Sequence, residues 1–145
     1  MGRRVLPCLV IAVLLVPAAA TAQNQWQRTV RSQVSEHGDF LSSRGYSMSG
    51  DVFDGNLKNN YYEDLTIKLQ PGTSYAFMGV CDQDCRDIDL RLFDPDGDEV
   101  ASDVRNDDWP IVSVMPSYTG TYTLRVEMAS CSKDPCYYGI GVYTK

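Results

Sequence analysis

Beyond Gly45, apolar and polar residues alternate in short runs, each closed by turn residues. Leu65, Ile67 and Leu69 alternate with Thr66 and Lys68, and Pro71-Gly72 ends the run. Tyr75 to Val80 forms the next. Ile88, Leu90 and Leu92 alternate with Asp89 and Arg91 before the Asp94-Pro95-Asp96-Gly97 turn. Glu99–Ser102 and Ile111–Met115 are shorter runs. Tyr122, Leu124, Val126 and Met128 alternate with Thr121, Thr123, Arg125 and Glu127, and Tyr137–Tyr143 closes the chain. A period of two turns one face of each strand to a core and the other to water. Short strands at this spacing, with no helical pattern between them, predict an antiparallel β-sandwich. A parallel sheet would need crossover helices, for which there is no room.

Residues 24–44 follow a different period. Trp26, Val30, Val34, His37 and Leu41 are spaced by three or four and share one face of a helix. Asn24 is suited to cap its start and Gly45 to end it, although Gly38 costs about 1 kcal/mol in a helix interior. The stripe fits packing against the following domain; the competing reading is a docking helix for a partner.

The first residues have a third pattern. Arg3-Arg4 precede an apolar run from Val5 to Val16, followed by Ala20-Thr21-Ala22. A basic start, an apolar centre and a small-x-small ending form a secretory signal, so residues 1–22 read as a signal peptide cleaved before Gln23. The apolar run is short of the roughly 20 residues that span a bilayer. The expected organisation is a signal peptide over 1–22, an amphipathic helix over 23–45 and a sandwich domain over 46–145. The protein is then secreted or periplasmic, with no membrane span after cleavage. Loss of Arg3 and Arg4 takes the net charge from −6 to −8. Such a surface repels nucleic acid and favours cations or a basic protein surface.

Export changes the meaning of the cysteines. Cys81, Cys85, Cys131 and Cys136 remain, and an even count in an oxidising compartment reads as two disulfides. A bridge within each pair removes roughly 2 kcal/mol of unfolded-chain entropy and one between the pairs roughly 4, which favours the long-range connection. The need to bring Cα atoms within about 7 Å favours Cys81–Cys85 and Cys131–Cys136. A four-cysteine zinc site is the rival.

Three stretches carry a family resemblance: Leu65-Thr66-Ile67-Lys68-Leu69-Gln70-Pro71-Gly72-Thr73-Ser74-Tyr75, Asp87-Ile88-Asp89-Leu90-Arg91-Leu92-Phe93-Asp94-Pro95-Asp96-Gly97, and Thr119-Gly120-Thr121-Tyr122-Thr123-Leu124-Arg125-Val126. In order and spacing, the chain from about Asp51 resembles the bacterial pre-peptidase C-terminal domain. That resemblance implies a jelly-roll-like β-sandwich with an accessory role in binding, folding or secretion. The family's domain usually trails a catalytic domain, whereas none is expected here, and its common pattern does not include the cysteine pairs. Related collagenase domains bind collagen and calcium, but no full set of their ligand positions matches here.

Candidate chemistry is sparse. Asp94, Asp96 and Asp98 open like a calcium loop, but Glu99 stands where an EF-hand requires Gly, and Arg105 where it requires Glu. Asp87 and Asp89 near the first cysteine loop, with Asp107 and Asp108 in a second acidic loop, would offer calcium ligands if the loops meet; solvated loops are the alternative. His37 is the single histidine and lies on the helix, which leaves a Ser-His-Asp or Cys-His site without support. Aromatics are plentiful. Trp109, Tyr61, Tyr62, Tyr137 and Tyr138 are candidate binding residues, Trp109 being expected to be exposed, because outward Tyr and Trp stack on sugars or anchor protein partners. The expected function is an exported, non-catalytic accessory or binding module for a protein or glycan partner, with calcium as an optional aid and no other cofactor. The alternatives are a structural or folding partner of another exported protein and, third, a hydrolase.

Overall fold

The computed structural model describes residues 18–145, with side chains from Gln25 onward. Most of the expected signal peptide therefore lies outside the described residues. Helix α1 (Ala18–Ser42) precedes nine strands: β1 (Ser47–Met48), β2 (Phe53–Leu57), β3 (Tyr61–Leu69), β4 (Tyr75–Cys81), β5 (Cys85–Phe93), β6 (Glu99–Asp103), β7 (Ile111–Val114), β8 (Gly120–Cys131) and β9 (Cys136–Thr144). The seven runs read from alternation are all strands; β1 and β2 are additional. Among the described residues no helix is long and apolar enough to cross a membrane.

All ladders are antiparallel. Strands β2, β3, β4 and β5 pair with β9, β8, β7 and β6 respectively, the pattern of one long nested hairpin. Two further ladders, β4 with β9 and β5 with β8, fold that hairpin into two sheets. Sheet A runs β1–β9–β4–β7 with β2 also on β9, and sheet B runs β3–β8–β5–β6. This is the strand order of a jelly roll. Between the sheets lie Phe77, Ile88, Leu90, Leu92, Leu124, Val126, Met128, Tyr138 and Ile140, each almost wholly buried.

The helix adds a third layer. Val30, Val34 and Leu41 pack on Ala76, Met78, Val80 and Tyr143 from the outer face of sheet A. Trp26 stacks on Tyr137, and Tyr143 donates its buried hydroxyl to the carbonyl of Val34 at 3.0 Å. The apolar stripe is thus consumed by the domain itself. Gly38 now has a reason: a Cβ there would lie 2.7 Å from the Tyr143 hydroxyl. Gly139 and Gly141 on β9 play the same part, since a Cβ on Gly141 would meet Val34 Cγ1 at 2.7 Å.

Asn24 does not cap the helix, because the helix already begins at Ala18. Its other end matches expectation. The amide of Gly45 donates to Ser42 O and that of Tyr46 to Leu41 O, with Gly45 at φ 84°, which is the paired-bond glycine stop.

Both disulfides form within the local pairs, Cys81–Cys85 and Cys131–Cys136, each with Cα atoms 5.9 Å apart. This pairing uses all four thiols and removes the zinc alternative. Each bridge spans a corner where the chain leaves one sheet for the other: Cys81 on β4 to Cys85 on β5, and Cys131 on β8 to Cys136 on β9. Cys85 and Cys131 are register partners, so the two staples sit side by side at one end of the sandwich. Asp82 fills the same corner. Its buried carboxylate accepts from the amides of Asp84, Cys85 and Tyr137 at 3.1, 3.3 and 2.8 Å.

A valine at position 141 is expected to destabilise the protein by about 1–3 kcal/mol, because it overpacks a helix–sheet contact that cannot open locally. Denaturant unfolding of Gly141→Val checks this, and Val34→Ala in the same background is expected to recover part of the loss.

Candidate functional site

The two outer faces of the sandwich differ. The helix covers sheet A, whereas among the described residues nothing covers sheet B. On that bare face the β3–β8 register sets Tyr62, Asp64, Thr66 and Lys68 beside Glu127, Arg125, Thr123 and Thr121, and the β5–β8 register adds Asp89, Arg91 and Phe93. Arg125 is its centre. Its Nε and Nη2 donate to the two carboxylate oxygens of Asp64 at 2.7 and 2.8 Å. Its guanidinium carbon stands 4.0 Å from the centre of the Tyr62 ring and 5.2 Å from that of Phe93. The fork holds the Asp64 carboxyl below the ordinary carboxylate range, chiefly through the hydrogen bond. Tyr62 is 54% exposed, so an aromatic ring and a fixed guanidinium are presented together to solvent.

Beside this stack is a concavity of about 400 Å³ lined by Asp64, Phe93, Asp94, Asp96, Thr123 and Arg125, among others. The β5–β6 turn shapes it. Asp94 Oδ1 accepts from the amides of Asp96 and Asp98, and Gly97 adopts φ 90°, so Asp94-Pro95-Asp96-Gly97 is turn chemistry as read. Tyr118 donates its hydroxyl to Asp94 Oδ2 at 3.3 Å; desolvation and the two nearby aspartates push that phenol up to about 12. A larger cavity, about 580 Å³, opens between the β1–β2 segment and β3, with Phe53, Ile67, Tyr75 and Val142 among its lining.

The aromatic candidates are dispersed. Tyr61 and Tyr62 are both exposed, near the start of edge strand β3. Trp109 is not the exposed anchor expected. Its ring is half-buried against His37, at 4.7 Å between centroids, and Phe40, at 5.3 Å, because the helix reaches across sheet A to cover the β6–β7 loop. Tyr137 is likewise covered, by Trp26. Tyr138 points between the sheets, is 1% exposed and donates its hydroxyl to Glu63, whose carboxyl is raised by burial.

The acidic candidates meet in part. The amide of Asp107 donates to Asp87 Oδ1 at 3.2 Å and that of Ile88 to Asp107 O at 3.1 Å, which ties the second acidic loop to β5. Asp89 lies on the same face opposite Glu127. It is 9% exposed, and its Oδ1 is buried without a hydrogen-bond partner. Asp108 is exposed. Asp103 is claimed by Arg105, at 2.9 and 2.8 Å, and by the Ile111 amide. Among the described residues, no group of three or more His, Cys, Asp or Glu side chains converges as a metal would require. Asp87, Asp89, Asp107 and Asp108 therefore do not assemble a calcium site among the described residues.

Burial first, then the charges of Asp87 and Glu127, raise the Asp89 carboxyl to about 6. A carboxyl with a raised folded value binds its proton more tightly in the folded state. Its contribution to stability is therefore greatest at low pH and is lost as pH climbs from about 4 to 6. Asp89→Asn is expected to flatten this slope and to raise neutral-pH stability by on the order of 1 kcal/mol, measured by urea unfolding at a series of pH values.

No family model matches the chain, and no curated protein matches it in sequence. The resemblance to the pre-peptidase C-terminal domain rests on residues 65–75, 87–97 and 119–126 alone.

Proposed function

We propose that this is an exported, non-catalytic accessory module of the pre-peptidase C-terminal type, and that it binds a glycan on the bare face of sheet B. The observation that carries this reading is Arg125, fixed by Asp64 and held against the rings of Tyr62 and Phe93 beside an open concavity. Sugar rings combine an apolar C–H face with hydroxyls in their plane. An aromatic ring takes the first, and aimed carboxylates, hydroxyls and guanidinium groups take the second. Asp64, Asp94, Asp96, Thr121, Thr123 and Arg125 supply that polar rim. A protein partner suits the surface less well, because the centres of protein–protein interfaces are depleted of charged residues. The docking-helix alternative has lost its apolar stripe to sheet A. A hydrolytic site has no support in the geometry of His37, whose ring lies on Trp109. Two disulfides at the sheet corners agree with export to an oxidising compartment.

The test is a glycan array followed by calorimetric titration of any retained oligosaccharide. Tyr62→Ala and Arg125→Ala are each expected to weaken binding by about tenfold or more, the range for losing a stacking or charge-assisted contact. Trp109→Phe, beneath the helix, is expected to leave affinity unchanged. Loss of affinity in Trp109→Phe alone would move the site to the other sheet.

A further inference from the structure

Among the described residues the sandwich has one long open edge. Strand β3 closes sheet B on one side, and its nine residues keep a single unbroken register with β8. The other edge strands are β1, β2, β6 and β7, which have two, five, five and four residues. The ladder beside β6 also carries a bulge. Natural sheets seldom leave a long regular edge without charge, bulge or cover, since its free amides and carbonyls recruit another strand. Glu63 turns inward toward Tyr138 at the start of β3, and the run from Asp64 to Leu69 has no bulge and carries two charges of opposite sign, Asp64 and Lys68, both on the outer face.

We infer that β3 is a self-association edge, with a second copy of this chain adding its own β3 antiparallel across a two-fold axis at Thr66. In an antiparallel pair, opposite residues share a face, so a two-fold axis must fall on a residue, and only a few registers exist. An axis at Asp64 sets that carboxylate against its own copy. Axes at Leu65 or Ile67 leave Asp64 and Lys68 without opposite charges facing them. The axis at Thr66 places Lys68 opposite Asp64 twice on the outer face, Leu65 opposite Ile67 twice on the inner face, and Thr66 opposite Thr66. Across its five central positions this is the register in which charge meets charge and apolar meets apolar, and both kinds of pair stabilise antiparallel ladders; at its two ends Glu63, held by Tyr138, stands opposite Leu69. Asp64 already holds Arg125, and a carboxylate accepting from two cations is ordinary hydrogen-bonding capacity. The resulting sheet would be continuous, with the two Tyr62–Arg125–Phe93 clusters on the same side. The inference does not depend on what those clusters bind.

Sedimentation velocity of the purified protein over roughly a hundredfold concentration range is expected to show a reversible monomer–dimer equilibrium. Lys68→Asp places like charges opposite each other at two symmetric positions and is expected to weaken the dimer by about tenfold or more, with the thermal midpoint of folding retained. Thr66→Cys tests the register itself. Paired Cα atoms on the axis would stand about 4.5–5.5 Å apart, within disulfide reach, so mild oxidation is expected to yield a covalent dimer. Thr121→Cys, exposed on the same face but one strand inward, is expected to remain monomeric under the same oxidation, since its two copies are three strand spacings of about 4.8 Å apart across the sheet and offset along the strands as well. A monomer at every concentration overturns the inference. So does a dimer undiminished by Lys68→Asp, or one in which Thr66→Cys cross-links no faster than Thr121→Cys.

Discussion

Strands β4 and β9 carry large side chains in both directions, and the remainder of the structure is arranged around them. Phe77, Ile140 and Tyr138 face sheet B, while Met78, Val80 and Tyr143 face the helix. A strand pair with two apolar faces cannot sit on the outside of a two-layer sandwich. It requires cover on the second side, which the helix supplies. At roughly 25 cal/mol per Å² of apolar surface removed from water, covering that face contributes several kcal/mol, in a protein class whose net stability is only about 5–15. The close approach depends on absent side chains as much as present ones: Gly38 on the helix and Gly139 and Gly141 on the sheet make the room.

This explains which parts of the fold were legible in the sequence. Where one face of a strand meets water, as in β3, β5 and β8, alternation reads directly and the strands appear where expected. The Tyr75–Cys81 run loses alternation because it is buried on both faces, yet its continuous apolar character still marks a strand. Strand β2, Phe-Asp-Gly-Asn-Leu, has poor intrinsic preference for a sheet and forms because β9 offers it an edge; only tertiary pairing reveals it. The start of the helix was also illegible. Asn24 has the chemistry of a cap, but capping requires a non-helical residue, and the chain is already helical there.

The local disulfide pairing was readable for a reason that only the topology makes clear. In a rolled-up hairpin, successive strands β4–β5 and β8–β9 belong to opposite sheets, so a short-range bridge at each corner joins the two layers. A separation of four or five residues therefore does the mechanical work normally associated with a long-range crosslink. Asp82 reinforces the corner with three backbone hydrogen bonds, a role that no spacing in the sequence discloses. The candidate surface on sheet B was less legible still. Tyr62 was visible as an adjacent tyrosine, but Asp64, Phe93 and Arg125 lie on three strands up to 61 residues apart, and their meeting depends on register. Trp109 was misread because a Trp beside two aspartates and a proline looks like an exposed loop, while the helix that covers it comes from far earlier in the chain.

The two outer faces of the sandwich are built differently. Beneath the helix the outward residues of β4 and β9 are Ala, Met, Val, Gly and Tyr, and the charged side chain beside them, Asp54 on β2, is taken up by Arg31 and Gln27 of the helix itself. Sheet B would be satisfied by any polar covering, since water is its only described neighbour, and isolated surface ion pairs are worth little. It instead carries a two-pronged Arg125–Asp64 contact wedged between rings, together with Asp89, whose Oδ1 is buried without a hydrogen-bond partner. Solubility alone requires neither. Fixing a guanidinium on an open surface lowers the cost of ordering it when something binds, which is how preorganisation turns a modest number of contacts into affinity. The face that folding leaves free thus presents one cation already fixed in place.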